Sequence, residues 1–225
     1  MNNSILTIKS VKKKYGKKQV LNDISISAPA GSCIGIVGVN GSGKSTFFNV
    51  LAGIISGDAG TFEFEGVDMF SNKSFRRKKL GYITQYPPLF DELTSYDNLR
   101  LWYSRASLKK EFESGVLKML GVDEFLNVKV SNLSGGMKKR LAIGCAVSHG
   151  PRLLLLDEPT AALDLVCKEK IRLYLEDFKK SGGIVLIATH DVRELDMCDK
   201  VYLFKNGTSS EYIFDNDTEK LIGSL

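Results

Sequence analysis

The pattern of apolar and polar positions changes along the 225 residues, and each change marks an element. Near the start, Ile5, Leu6 and Ile8 form one short strand pattern, and Ile24 and Ile26, two apart, belong to another. The basic segment between them, Lys12-Lys13-Lys14-Tyr15-Gly16-Lys17-Lys18, reads as the turn of an antiparallel hairpin. Residues 33–37 are a continuous small apolar run, the pattern of a parallel strand buried on both faces. A Gly-rich loop follows, then a helix with an apolar face over 46–52. Strand patterns recur at 61–64 and 80–83. From about residue 91 to 149 the spacing is helical, with Leu93, Tyr96, Leu99 and Tyr103, then Phe112, Val116, Leu117 and Leu120. A strand at 153–156, a helix at 166–178, a strand at 184–188 and a short helix near Val192 come next. Strands around 201–204 and 212–214 close the chain, with Asn206-Gly207 as their hairpin turn. Strand–helix units thus bracket a helical insertion. The predicted fold class is α/β: a mostly parallel sheet with helices on its faces, an N-terminal antiparallel β subdomain and an inserted α-helical lobe. The whole of 1–225 forms one cassette, with its core over 1–84 and 150–225 and the lobe over about 85–149.

Composition narrows this picture. No apolar run approaches the ~20 residues of a membrane span. The start, Met1-Asn2-Asn3-Ser4, lacks the apolar stretch of a signal peptide. Cys33, Cys145, Cys167 and Cys198 lie far apart with no CxxC pair, which argues against a zinc cluster or disulfide scaffold and for reduced, mostly buried thiols in a cytosolic protein. Thirty-one basic against 26 acidic residues give a net charge of +5. That mild excess suits a surface meeting phosphates or lipid headgroups and is not a nucleic-acid footprint.

The sharpest chemistry is Gly38-Val39-Asn40-Gly41-Ser42-Gly43-Lys44-Ser45, the pattern G-x-x-x-x-G-K-[ST] between a buried strand and a helix beginning near Thr46. Glycines allow successive N–H groups to converge on one anion, and the helix N-terminus adds its dipole. Lys44 supplies a full charge to terminal phosphates, and Ser45 offers a hydroxyl to Mg²⁺. The loop resembles that of P-loop NTPases, which implies a core of that type.

A second constellation is Leu153-Leu154-Leu155-Leu156-Asp157-Glu158, an apolar strand ending in two carboxylates. Ligands of open α/β sheets bind beyond the strands' carboxyl ends, which places Asp157 near the phosphate loop as a Mg²⁺ ligand, directly or through water. Neighbours on a strand point oppositely, so Glu158 is free to polarise an attacking water instead. Leu133-Ser134-Gly135-Gly136-Met137 opens a helix carrying Lys138, Lys139 and Arg140, a second anion-binding helix start. Gln85 follows one strand and His190 another.

Taken in order, these residues strongly resemble the ATP-binding subunit of ABC transporters over essentially the whole chain. The loop 38–45 resembles the Walker A motif and 153–157 Walker B. Glu158 matches the catalytic carboxylate, Gln85 the Q-loop glutamine and His190 the switch histidine. Residues 133–136 match the signature, and Ala162-Leu163-Asp164 the D-loop. Tyr15 stands where the family stacks an aromatic on adenine. One departure is Met137, where the commonest signature has Gln. With Ser134 and Gly136 intact, activity is expected to survive. The sequence Ser-Gly-Gly-Met before basic residues resembles bacterial exporters of drugs, peptides or polysaccharides.

The resemblance implies ATP and Mg²⁺ as cofactors, and two cassettes stacked head to tail, as a homodimer or heterodimer, around two ATP molecules. The loop residues 38–46, with Ser134, Gly135, Gly136, Asp164 and Tyr15, would bind nucleotide. Ser45, Gln85 and Asp157 would hold the metal. Glu158, His190, Gln85 and Lys44 would carry the chemistry. The partners implied are a transmembrane permease subunit and a second cassette, at the cytoplasmic face of the membrane. Near Tyr86-Pro87-Pro88-Leu89-Phe90 the family docks its membrane subunit. Leu89 and Phe90 are read as groove residues, Trp102 as core filling. No regulatory domain follows Leu225, which favours a plain exporter or simple importer.

Other classes fit less well. Translation-regulating ABC ATPases join two cassettes in one chain. Chromosome-maintenance ATPases interrupt theirs with coiled coil, and no heptads are seen here. A small-molecule kinase has no use for Ser134-Gly135-Gly136. A module coupling ATP state to a membrane or cell-wall complex without moving a substrate stays open, as does import.

Overall fold

The computed structural model describes residues 4–161 and 163–225. Residues 1–3 of the polar N-terminus and Ala162 of the D-loop lie outside the described residues.

The chain opens with a long antiparallel hairpin, β1 (Ser4–Tyr15) and β2 (Lys18–Pro29). The basic residues Lys12, Lys13 and Lys14 lie within β1 and only Gly16-Lys17 turns, so the turn is tighter than the charge run predicted. Next come β3 (Cys33–Val37), α1 (Lys44–Ala52), β4 (Ala59–Phe64) and β5 (Val67–Asp68). The basic helix α2 (Lys73–Lys79), absent from the periodicity because none of its residues is buried, leads into β6 (Leu80–Ile83). The helical insertion holds α3 (Ser95–Arg100), α4 (Arg105–Ser114), α5 (Val116–Met119) and α6 (Gly135–Ala146), with two 3₁₀ turns before α6. The chain then returns to the sheet through β7 (Leu153–Asp157), α7 (Leu165–Lys180), β8 (Ile184–Ala188), α8 (Val192–Asp196), β9 (Lys200–Lys205) and β10 (Thr208–Tyr212), and ends with α9 (Thr218–Ser224). The hairpin turn Asn206-Gly207 sets β10 immediately after it, earlier than its apolar residues indicate, because Thr208 to Ser210 pair with Lys205 to Leu203 despite being polar.

The strands form one continuous sheet in the order β5-β4-β1-β2-β10-β9-β3-β8-β7-β6. Its central part is parallel and its N-terminal part antiparallel. The seam is narrow: β10 and β2 are in parallel register at Thr208 and Asp23, and Ser25 N donates to Ser209 Oγ at 2.9 Å. The continuous apolar strands are buried on both faces, and alternate residues serve two cores. Ile34, Ile36, Leu153, Leu155, Ile184 and Leu186 pack with α1 and the antiparallel strands. Cys33, Leu154, Leu156, Val185 and Ile187 pack with α7 and the helical insertion. All four cysteines are free, three of them buried, and Cys33 Sγ lies 3.3 Å from Cys198 Sγ.

Candidate functional site

The loop between β3 and α1 depends on glycine where the chain enters the helix. Gly43, the N-cap of α1, has φ +104°, and a Cβ there would come within 2.9 Å of Leu21 Cδ2. Both the backbone angle and the space therefore demand glycine. No side chain caps α1, which leaves its first-turn N–H groups to an anion. Lys44 is buried and donates to Gly38 O at 2.5 Å and Val39 O at 3.3 Å. Burial holds its ammonium below the ordinary lysine value, while Glu158 and Asp157 pull it back up. Ser42 Oγ is buried without a hydrogen-bond partner among the described residues.

Facing the loop is the end of β7. Alternation along a strand predicts that Asp157 and Glu158 diverge. They do not: β7 stops at Asp157, and Glu158 takes φ +48°, in the left-handed region. For a side chain with a Cβ this costs on the order of 1 kcal/mol. The turn brings both carboxylates into one cleft with Asn40, Gly41, Gly43, Lys44, Ser45, Thr46 and Gln85. Gln85 Nε2 donates to Glu158 Oε2 at 3.0 Å, and His190 Nε2 lies 3.9 Å from Glu158 Oε1. Burial, then Lys44, lowers the imidazole below its ordinary value, with Glu158 opposing. At 3.9 Å the two side chains are in contact but not hydrogen-bonded.

Not every predicted residue joins this cleft. Ser134, Gly135 and Gly136 are not among its lining residues. Ser134 caps α6, accepting from Met137 N at 3.2 Å, and Gly136 packs against Cys167 of α7, where a Cβ would approach Sγ to 2.7 Å. Asp164 caps α7, accepting from Cys167 N at 2.8 Å. Tyr15 is exposed at the end of β1 with Lys13 Nζ 5.6 Å from its ring centroid, and it too is absent from the lining. Lys18 and Val20 of β2 do line the cleft. No local motif marks them, since only the folding of the hairpin against the loop brings them there.

The donor set fits Mg²⁺. Ser45, Gln85 and Asp157 offer hard oxygens in one cleft. Burial, together with Glu158, raises the Asp157 carboxyl above its ordinary value, against the pull of Ser45, Lys44 and Lys139. A bound divalent cation would favour the ionised form that burial disfavours.

An anion-binding loop facing paired carboxylates at the ends of parallel strands defines a nucleoside-triphosphate hydrolase. The family model described as ABC transporter matches residues 21–161. The chain belongs to the ABC transporter family, as an ATP-binding and ATP-hydrolysing cassette. It is 32% identical over 224 residues to a lantibiotic transport ATP-binding protein of Streptococcus pyogenes, across 98% of this chain and 96% of that one. It is 37% identical over 228 residues to a methionine import ATP-binding protein of Clostridioides difficile, across 96% and 70%. Among solved structures, a dimeric ATP-binding cassette in a post-hydrolysis state with ADP and phosphate superposes with a TM-score of 0.82 at 28% identity, across 92% of this chain and 97% of that one.

Proposed function

We propose that this chain powers export through a separate membrane subunit, working as a head-to-tail pair of cassettes at the cytoplasmic face of the membrane. The observation that carries the catalytic part is the meeting of Lys44, Ser45, Gln85, Asp157 and Glu158 in one cleft. The division into a core over 1–84 and 150–225 and a lobe over about 85–149 belongs to the same reading.

Loop N–H groups and Lys44 hold the ATP phosphates. Ser45, Asp157 and Gln85 would hold Mg²⁺, whose bound charge offsets that on the terminal phosphates. Water attacks the γ-phosphorus in line with the departing ADP oxygen, and Glu158 accepts the water's proton. Gln85, hydrogen-bonded to Glu158, keeps that carboxylate aimed. His190 donates to the γ-phosphate. Ser134, Gly135, Gly136 and Asp164 act on the partner cassette's nucleotide. Tyr15 stacks on adenine.

Export is favoured by a relative named for Nod factor export, 32% identical over 207 residues. The methionine importer gives import a specific footing as the second reading. Glu158→Gln tests the catalytic assignment: ATP binding should persist while turnover falls by about a hundredfold or more in a phosphate-release assay. Near-parental turnover would remove Glu158 as the base.

A further inference from the structure

The signature helix carries three consecutive basic residues, and they go to three places. Lys138 reaches Asp91 on the surface at 3.3 Å. Arg140 turns inward to the carbonyls of Leu120 and Gly121 at 2.8 and 3.3 Å. Lys139 is 5% exposed, and its ammonium donates to two main-chain carbonyls, Thr84 O and Gln85 O, each at 3.0 Å.

A buried ammonium with only neutral acceptors in direct contact is a poor stabilising device, because desolvating it offsets much of what its hydrogen bonds return. Burial holds it below the ordinary lysine value, and Asp157, Glu158 and Glu194 favour its charge from nearby. What it achieves is geometric. It fixes the main chain at the residue whose side chain bonds Glu158, and it does so from α6, the helix that Ser134 caps. The next residues, Pro87 to Phe90, enter an apolar groove.

We infer that Lys139 is a positioning residue for Gln85, tying the Q-loop main chain to the signature helix so that Gln85 stands correctly toward Glu158 and the metal. This rests on the role proposed for Gln85 in hydrolysis.

The test is a double-mutant cycle on the purified full chain, reading kcat, the KM for ATP and the Mg²⁺ concentration for half-maximal rate. Lys139→Met should lower kcat about tenfold and raise the Mg²⁺ midpoint, with ATP affinity measured without Mg²⁺ unchanged. Lys139→Arg, which keeps charge and donors, should recover part of the rate. Adding Lys139→Met to Gln85→Ala should slow the enzyme no further, because both act through one group. Should Lys139→Met fail to fold, Lys139→Gln keeps a donor and enters the same cycle. Parental kcat and Mg²⁺ midpoint in a folded Lys139 variant overturn the inference. So does a cycle in which a slow Gln85→Ala is slowed again by the full Lys139 factor. Parental turnover in Gln85→Ala alone instead removes the role proposed for Gln85, and the inference with it.

Discussion

At the scale of single residues, the site depends on groups held away from their ordinary chemistry. Glu158 occupies a left-handed backbone conformation, and this one turn decides that two carboxylates share a cleft. Strand alternation alone points neighbouring side chains apart, and nothing local in the sequence marks where β7 stops. That Lys44 and Asp157 meet in one cleft was legible, because the loop motif and the carboxyl end of an apolar strand place them there. Glu194 was not: it lies in an unremarkable stretch of α8, yet it is buried and accepts a hydrogen bond from Thr189 Oγ1, one residue before His190. Burial pushes its carboxyl up to about 7. A folded-state value above the unfolded one means that its contribution to stability is complete below the unfolded value near 4.5 and is lost as pH rises through 7. The whole loss is on the order of 3 kcal/mol. Glu194→Gln, which keeps an acceptor for Thr189 and cannot ionise, should flatten the fall in melting temperature between about pH 5 and 8. An unchanged slope in thermal melts across that range would show that Glu194 is not the titrating group.

At the scale of elements, the buried strands and the loop-to-helix transition followed from apolar runs and glycine positions, where local chemistry and tertiary packing agree. Elements lacking an apolar face were illegible. α2 has no fully buried residue and only Phe75 packs on the core, and β10 begins with polar residues whose pairing comes from the turn. Trp102 is the clearest departure. In the sequence Trp102 reads as filling the lobe's core, but α3 ends at Arg100, and beyond that end Trp102 is 62% exposed. The start of α3 is set by a capping box, in which Thr94 Oγ1 accepts from Asp97 N at 3.1 Å and Thr94 N donates to Asp97 Oδ2 at 3.2 Å. This cap also joins the segment at Lys129, pinning the region that leads into the signature. Thr94→Ala should cost about 1 kcal/mol in denaturant unfolding, with Thr94→Ser recovering most of it. No shift in the midpoint would mean that the lobe's other contacts set the start of α3.

At the scale of the whole molecule, the described residues contain no helix long and apolar enough to cross a membrane, and several strongly exposed aromatics gather beside the Q-loop. Phe90 is 59% exposed, and with Trp102, Pro87, Pro88 and Leu89 it lines a groove floored by Ala142, Cys145 and Ala146 of α6. Apolar rings left in water beside a proline turn fit a protein contact better than a free surface. The groove shares α6 with the signature and lies close in sequence to Gln85, so a segment seated there would sit beside the residues proposed to carry hydrolysis. The groove residues themselves are absent from the nucleotide cleft, which makes docking and chemistry separable by mutation. Phe90→Asp puts a charge where an apolar partner must desolvate it. Copurification with the membrane subunit should fall by about tenfold or more, while ATP hydrolysis by the isolated chain stays at the parental rate. Undiminished copurification would place the membrane contact elsewhere. A parallel loss of basal hydrolysis would instead mean that the ring supports the Q-loop itself, and the separation of docking from chemistry would fail.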